Sequence, residues 1–210
     1  MSVASCPLPI RDAIAKSVGF GSVARADARV LVLGSLPGKV SLQRGEYYAQ
    51  PRNAFWRIMG EIAGASPDRP YKDRLQLLIE HGIALWDVCA AGRRSGSLDS
   101  AIELPTVETN DFGEFLRVHS GIRLICFNGQ KAKEIFDRKV SPQPPYLFER
   151  ICYEVLPSTS PAHAGMPFEQ KLSRWRAVLG EVRISGSLRS NCTPAPPKRL
   201  DVHPSPGGHG

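Results

Sequence analysis

The sequence predicts an α/β fold built on a short, mostly parallel sheet of four strands. From Arg29 onward, brief uninterrupted apolar runs alternate with segments that carry apolar residues at helical spacing. This alternation is typical of folds in which helices cover a parallel sheet. The chain has 210 residues with a hydrophobic content of 42%, which is enough for one core of ordinary domain size. We therefore expect one folded domain.

Each predicted strand is short and apolar throughout, as strands buried on both faces are. The predicted strands comprise residues 30–33, 84–88, 124–127 and 153–156. The predicted helices comprise residues 54–63, 69–80, 112–119, 130–140 and 168–179. Asn110 or Asp111 is suited to cap the third of these helices. A further short helix is expected over residues 12–18, where glycines then interrupt the pattern.

Composition divides the chain into three parts. Residues 1–18 are weakly patterned, and residues 19–185 carry the alternating pattern of the domain. Residues 186–210 contain five Pro and four Gly with almost no large apolar side chain. Such a segment buries too little apolar surface to offset the entropy lost on ordering. We expect it to be a disordered tail.

The chain is basic, with 27 Lys and Arg against 20 Asp and Glu and a formal net charge of +7 at pH 7. The predicted tail carries +2 of this charge, so the remainder of the chain keeps +5. Basic surfaces attract polyanions, because phosphates neutralised by Lys and Arg release their counterions. Charge alone makes nucleic acid one candidate partner among several.

The sequence offers no site for a cofactor or a metal ion. Its five cysteines are scattered, without a CxxC pair or a Cys-His spacing that suits a tetrahedral metal. It also lacks the P-loop pattern GxxxxGK[ST], the dinucleotide pattern GxGxxG and the nucleophile elbow GxSxG. We expect neither a metal nor another cofactor, and phosphate-loop or serine-hydrolase chemistry is disfavoured.

No apolar run approaches the roughly 18 residues that a membrane span needs. Charged residues at positions 11, 12 and 16 interrupt the stretch where a signal peptide would be continuously apolar. We therefore expect a cytoplasmic protein without a membrane partner, and a monomer.

Distinctive loops follow three of the predicted strands. They read GSLPG at 34–38, NG at 128–129 and PSTSP at 157–161, and the loop after the remaining strand carries Arg93 and Arg94. Because ligands of parallel sheets bind at the carboxyl ends of the strands, we expect these loops to meet at one edge. The glycines Gly34 and Gly38 allow backbone N–H groups to approach a ligand closely.

The segment YYAQPRNAFW at 47–56 has two readings from its residues alone. Pro51 disfavours helix at the preceding residue, and Asn53 stands where an N-cap belongs before the apolar run that begins at Phe55. On this reading, Tyr47 and Tyr48 belong to the core. Adjacent aromatics in a loop can instead supply a face on which a nucleic-acid base stacks.

Three separated segments resemble the uracil-DNA glycosylase superfamily, and most closely its hypoxanthine-DNA glycosylase (DNA-deoxyinosine glycosylase) branch. These segments are GSLPGKVSLQRGEYYAQPRNAFW at 34–56, LICFNGQKA at 124–132 and LPSTSPAHA at 156–164. The resemblance spans residues 19–179 and implies a three-layer α/β/α sandwich. It further implies a monofunctional enzyme of base excision repair, bound to DNA in the bacterial nucleoid. Such an enzyme flips a deaminated base out of DNA and hydrolyses its N-glycosidic bond.

The resemblance also implies roles for individual residues. Leu36 stands where other members of the superfamily carry a water-positioning Asn or Asp, and Asn53 matches the residue that takes over this work in the hypoxanthine branch. An amide is a weak base, so Asn53 would orient water and stabilise charge rather than abstract a proton. Asn128 would hydrogen-bond the flipped base, and Tyr48 would stack on it. Gly34 and Ser35 complete the predicted base-binding set.

DNA contacts are expected from the rim of the same edge. Ser158, Thr159 and Ser160 would donate hydrogen bonds to phosphates, and His163 would approach the sugar or the cationic transition state. The cations expected at this edge are Lys39, Arg52, Arg93 and Arg94, whereas Lys131, Lys133 and Arg138 are expected on a solvated helix face. Gln50 departs from the family, whose members commonly have His at that position.

Several alternatives stay open from the sequence. The lesion can be uracil opposite guanine or a wider set of deaminated bases, and the chain can be a nucleic-acid-binding module without catalysis. A small-molecule hydrolase is disfavoured by the missing phosphate-loop and nucleophile-elbow patterns. Attack of Lys39 on the sugar through a Schiff base is disfavoured, because the enzymes of the family that the chain resembles are monofunctional.

Overall fold

The computed structural model describes residues 15–96, 98–140 and 148–185, with the side chains of 181–185 left out. The predicted tail at 186–210 lies outside the described residues, as do the first residues of the helix expected over 12–18. Within that helix the prediction was wrong at Ser17–Val18, which form a short strand. These two residues pair with a neighbouring strand, so tertiary pairing overrides the local helical pattern.

The strands are β1 Ser17–Val18, β2 Val30–Gly34, β3 Ile83–Asp87, β4 Cys89–Gly92, β5 Glu108–Thr109, β6 Leu124–Asn128 and β7 Cys152–Leu156. The helices are α1 Lys39–Arg44, α2 Phe55–Ala63, α3 Tyr71–Glu80, α4 Phe112–Val118, α5 Gln130–Lys139 and α6 Phe168–Ser185. Short 3-10 turns occupy Asp99–Ala101 and Leu104–Thr106.

The central sheet has the order β3-β2-β6-β7, and all its strand pairs are parallel. Every residue of β2 and β6 is buried. The predicted four-stranded parallel sheet is confirmed, and each observed strand lies within one residue of its prediction. Central parallel strands covered on both faces must be apolar nearly throughout. For this reason the sequence pattern was sufficient to predict them.

Helices cover both faces of this sheet. Val30 and Val32 of β2 pack in one core cluster with α2, α3 and α6. Leu31 and Leu33 point the other way and pack with α4 and α5, because successive side chains of a strand alternate between faces. The α/β/α layering implied by the resemblance is confirmed. Among the described residues, no helix is long and apolar enough to span a bilayer.

A second, antiparallel sheet of order β1-β4-β5 was not predicted. Its strands have two to four residues, too few to show a period of two. The six-residue helix α1 was also missed. It begins after Gly38 and ends at Gly45, whose φ of +66° needs the freedom of glycine.

Backbone hydrogen bonds join the two sheets beside the carboxyl ends of β2 and β3. The N–H of Val88 donates to the carbonyl of Gly34 at 2.9 Å, and the N–H of Cys89 donates to the carbonyl of Ser35 at 3.0 Å. Gly34 is paired in register with Asp87 across β2 and β3. The loop that follows β2 is therefore fixed against the chain that leaves β3.

Candidate active site

A cavity of about 450 Å³ opens at the carboxyl end of the parallel sheet. Its walls come from the loops that follow β2, β4 and β7, from the last residues of β3 and β6, and from the segment before α2, so the segments predicted to meet at one edge do so. The predicted site residues in its walls are Gly34, Ser35, Tyr48, Arg52, Asn53, Asn128, Ser158 and Ser160. His163 lies beside the cavity but outside its walls, and its side chain is exposed.

The amide of Asn128 is held by two hydrogen bonds to Thr159. Its Nδ2 donates to Thr159 Oγ1 at 2.8 Å, and its Oδ1 accepts from the N–H of Thr159 at 2.9 Å. Asn128 is 8% exposed and Thr159 only 1%. These bonds fix which end of the amide carries the donor. One N–H and one oxygen lone pair of Asn128 remain for a ligand.

Thr159 also connects Asn128 to the segment before α2. Its carbonyl accepts a hydrogen bond of 2.9 Å from the N–H of Ala54, the N-cap of α2. With side chain and backbone engaged inside the protein, Thr159 cannot reach a phosphate. The expectation that it contacts DNA was wrong, and its place is that of a bridge between the segment before α2 and Asn128.

Asn53 lies one residue before the N-cap of α2, and its Oδ1 accepts from the N–H of Phe55 at 3.0 Å. It thus satisfies a free N–H of the first helical turn, as the capping reading of the sequence predicts. This bond does not exhaust the amide, because Nδ2 and one lone pair of Oδ1 are left. The two readings of Asn53, as a cap and as a cavity residue, are compatible.

The adjacent tyrosines have different places. Tyr47 is 3% exposed and donates its hydroxyl to the carbonyl of Gly21, so it belongs to the core. Tyr48 is half-buried in the cavity wall, and its ring stacks on Phe55 with centroids 4.0 Å apart. Its φ of +54° is rare for a residue with a side chain. Backbone strain of this kind concentrates at functional sites.

Asp87 is a cavity residue that the sequence prediction missed. It ends β3, is 3% exposed, and its Oδ2 is buried without a hydrogen-bond partner among the described residues. Burial and the nearby carboxylate of Asp99 raise the pKa of Asp87 to about 7, although Arg94 opposes this shift. The signal was present in the sequence, because one carboxylate interrupts the apolar run IALWDVCA at 83–90.

Gly34 makes room for this carboxyl group. A Cβ at position 34 would lie 2.2 Å from Asp87 Oδ1 and 3.1 Å from the hydroxyl oxygen of Tyr48. The Tyr48 hydroxyl is buried and has no hydrogen-bond partner among the described residues. Burial and Asp87 raise the pKa of Tyr48, so its hydroxyl stays protonated. The absent side chain of Gly34 therefore brings two polar groups together on the cavity floor.

Arg94 does not serve as a free cation at the rim. It is 7% exposed, donates to the carbonyls of Leu36 and Pro37, and pairs with Asp99 at 3.4 Å. The expectation that Arg94 faces DNA was wrong, since a buried guanidinium with three partners is structural. It fixes the loop after β2, in which Leu36 is 4% exposed.

The rim of the cavity is more polar. Lys39 and Arg52 are exposed in its wall, and Ser158 and Ser160 are half-buried there. Arg93 is exposed but lies outside the cavity wall. On α5, ion pairs join Lys131 and Arg138 to Glu134 and Lys133 to Asp137. Of the predicted solvated face, Arg138 is exposed, whereas Lys131 and Lys133 are half-buried.

Lys171 of α6 steadies the loop after β7. Its Nζ donates to the carbonyl of His163 at 2.8 Å, and the residue is 5% exposed. Burial lowers the pKa of its amine. In the part of the chain that the structure describes, no cluster of His, Cys, Asp or Glu is suited to hold a metal ion.

Comparisons with known proteins point to the same superfamily that the sequence motifs resemble. The sequence model of the Uracil DNA glycosylase superfamily matches residues 20–179. A protein of Methanosarcina acetivorans named Hypoxanthine DNA glycosylase is 39% identical over 164 residues, which cover 77% of this chain and 96% of that protein. A protein of the same name from Methanosarcina barkeri is 39% identical over 120 residues, or 57% of this chain and 75% of the other.

A solved structure is similar to this chain in both fold and sequence. The solution NMR structure of a candidate uracil DNA glycosylase from Methanosarcina acetivorans superposes with a TM-score of 0.66 at 36% identity. The match covers 80% of this chain and 99% of the other. The superfamily match includes every strand of the parallel sheet and every wall of the cavity. The chain belongs to the uracil DNA glycosylase superfamily.

Proposed function

We propose that this DNA glycosylase removes hypoxanthine from deoxyinosine in DNA as a monofunctional enzyme of base excision repair. The observation that carries the proposal is the pair of amides, Asn53 and Asn128, in the wall of one cavity. Thr159 bonds to Asn128 and to Ala54, the residue after Asn53. The relatives named Hypoxanthine DNA glycosylase support the choice of lesion. We expect the enzyme to act as a monomer on DNA in the cytoplasm.

The target base must leave the duplex to reach this site. A base inside the helix exposes neither its face nor its glycosidic bond, whereas an extruded base can enter a cavity of about 450 Å³. The ring of Tyr48 stacks on Phe55. A base that stacks on the opposite face of Tyr48 would extend this aromatic stack. Hypoxanthine pairs poorly with thymine, which lowers the energy needed for extrusion.

Asn128 reads the extruded base in this proposal. Thr159 occupies one edge of the amide, so the N–H that remains on Nδ2 is the group that can donate to O6 of the base. Gly34 and Ser35 approach the base through their backbone, since both line the cavity beside Asn128.

Asn53 orients the attacking water. Its Nδ2 and one lone pair of Oδ1 remain after the bond to Phe55, so it can hold a water without removing a proton from it. A site with a weak base suits a reaction in which the sugar develops oxocarbenium character before water adds. Leu36, which is buried, takes no part in positioning water.

DNA binding is assigned to the rim. Arg52, Ser158, Ser160 and His163 contact the phosphates and sugar that flank the extruded nucleotide. Arg52 and His163 are exposed, and the serines lie on the loop that Lys171 steadies. Such contacts position the duplex without reading its sequence. Because they neutralise phosphates, affinity for DNA falls steeply as the salt concentration rises.

The direct test incubates the purified protein with duplexes that contain deoxyinosine, deoxyuridine or deoxyxanthosine, and then cleaves abasic sites with alkali. Hypoxanthine release with little uracil release supports the proposal. Preferential uracil release favours the second candidate, a uracil or broad deaminated-base glycosylase, because uracil has the same lactam group. Binding without release of any base would leave a non-catalytic DNA-binding module.

The assignment of Asn53 is tested by the variant Asn53→Ala. We expect a loss of turnover of roughly 100-fold or more with DNA affinity nearly unchanged, because the water loses its partner. The N–H of Phe55 also loses its acceptor, which should cost about 1 kcal/mol of stability. Gln76→Ala, an exposed change on α3, is the matched control for the loss of an amide. Full activity of Asn53→Ala would contradict the assignment.

A further inference from the structure

The buried carboxyl group of Asp87 takes no part in stacking the base, reading its edge or positioning the water. Polar groups buried in proteins are nearly always hydrogen-bonded, and an exception needs an explanation. Asp87 Oδ2 is such an exception within the described residues, and Asp87 is one of the residues that line the cavity. Oδ2 is closed off from solvent, so a turn of the carboxyl group would bring it to a ligand atom, which would supply the missing partner.

Among the described residues, no cation pairs directly with the carboxyl group of Asp87. Arg94 is close enough to influence Asp87 electrostatically, but its guanidinium donates to carbonyls of the loop after β2 and pairs with Asp99. Gly34 leaves the space that Asp87 Oδ1 occupies. An unpaired buried carboxyl group avoids the large desolvation penalty of an ion by holding a proton.

We propose that Asp87 is the acid that donates a proton to N7 of hypoxanthine as the base leaves. The inference rests on the proposed function, because it needs a purine in the cavity. N7 is the most basic ring nitrogen of a hypoxanthine nucleoside. Protonation there makes the departing base neutral, whereas unassisted departure would leave a negative charge on it.

The step balances as a hydrolysis. The bond between C1′ and N9 breaks, and its electron pair passes to the base. The O–H bond of Asp87 breaks at the same time, and its proton joins N7. Water adds through its oxygen to C1′ and releases one proton to solvent. Asp87, left as a carboxylate, recovers a proton from solvent, so free hypoxanthine and an abasic sugar are the only products.

Several titratable or charged groups surround Asp87. They are Tyr47, Tyr48 and Tyr71 from the aromatic side, Cys89 of β4, Arg94 and Asp99. Asp99 disfavours ionisation of Asp87 and Arg94 favours it, with burial the largest influence. The pKa of Asp87 near 7 places its proton in the range where a general acid is most effective.

The test measures single-turnover release of hypoxanthine by the wild type and by Asp87→Asn, which keeps the shape of the side chain but has no acidic proton. We expect a rate about 100-fold to 10,000-fold lower for the variant. The wild-type rate should fall as the pH rises through about 7, and the variant should lose this dependence. Asp68→Asn, which removes an exposed carboxylate, is the matched control.

Two further arms separate proton donation from a structural role. With 7-deaza-2′-deoxyinosine, which lacks N7, the wild type should be slow and Asp87→Asn should be no slower. Asp99→Asn removes a charge that raises the pKa of Asp87. The rate of hypoxanthine release by this variant should therefore begin to fall at a lower pH than the wild-type rate. Folding of each variant is checked by denaturation and by binding to a duplex with 2′-fluoro-deoxyinosine, which resists cleavage.

Defined results would overturn the inference. Asp87→Asn with the wild-type rate, or with an unchanged alkaline decline, excludes Asp87 as the acid. Equal wild-type rates on deoxyinosine and its 7-deaza analogue exclude N7 as the acceptor. Wild-type protein that releases no hypoxanthine refutes the proposed function itself, and the proton donation with it.

Discussion

Replacing Asp87 with Asn should change how the stability of the protein depends on pH, with no DNA present. The pKa of this carboxyl group is about 7 in the folded protein, chiefly because of burial, against about 4 in an unfolded chain. Between these values the folded state holds a proton that the unfolded state has lost. Its contribution to stability is therefore fully present at low pH and disappears as the pH rises through about 7.

The magnitude follows from linkage. A single group with these two pKa values contributes a change of about 1.4 kcal/mol per pH unit between them. From pH 5 to pH 8 the wild type should lose roughly 2–3 kcal/mol that Asp87→Asn does not lose. At 3% exposure of Asp87, little of this effect is screened by solvent.

Urea denaturation at pH 5, 6, 7 and 8 measures the free energy of unfolding of both proteins. The difference between them cancels the other titrating groups, and Asp68→Asn again controls for the loss of one negative charge. The variant should gain on the wild type steadily up to about pH 7 and then remain level. Curves that stay parallel from pH 5 to pH 8 would show that Asp87 is ionised when buried, and would remove the reason to regard it as an acid.

Two other predictions concern the frame of the cavity. Thr159→Val keeps the shape of a residue that is 1% exposed but leaves the Asn128 amide without its acceptor, so we expect a loss of about 1–3 kcal/mol in urea denaturation and a lower turnover. Unchanged stability would contradict the bridging role. Gly129→Ala places a Cβ 2.8 Å from a serine Cβ at a φ of +96°. It should destabilise by at least about 1 kcal/mol, whereas Gly165→Ala, with open space around it, should be nearly neutral.

The parallel sheet was predictable because its physics is local. A strand buried on both faces needs an apolar run, and β2 and β6 have such runs with all residues buried. The cap of α4 was equally local, since Asp111 accepts from the N–H of Glu114. The loops of the cavity followed from the rule that the carboxyl ends of parallel strands meet.

Other parts of the site depend on contacts that no local pattern encodes. Arg94 and the exposed Arg93 are adjacent in sequence, yet Arg94 turns inward because carbonyls 57 and 58 residues away accept its hydrogen bonds. Thr159 stands between two serines of the same loop, and its partner Asn128 lies on another strand. Sequence identifies such residues as polar loop residues, and only the fold decides which of them are buried.

The stability and the proposed chemistry of Asp87 are opposed. A buried carboxyl group without a partner weakens the fold, and Asp87→Asn should stabilise the protein at neutral pH even as it slows the reaction. Activity that depends on an energetically unfavourable group is a common reason why stabilising changes impair enzymes. The surrounding frame makes this tolerable, since Gly34 removes the clash, Arg94 holds the neighbouring loop, and Thr159 bonds join the facing walls. Two buried polar atoms of the cavity floor, the Tyr48 hydroxyl and Asp87 Oδ2, have no partner among the described residues. The hydrogen bonds of the surrounding walls hold them in place.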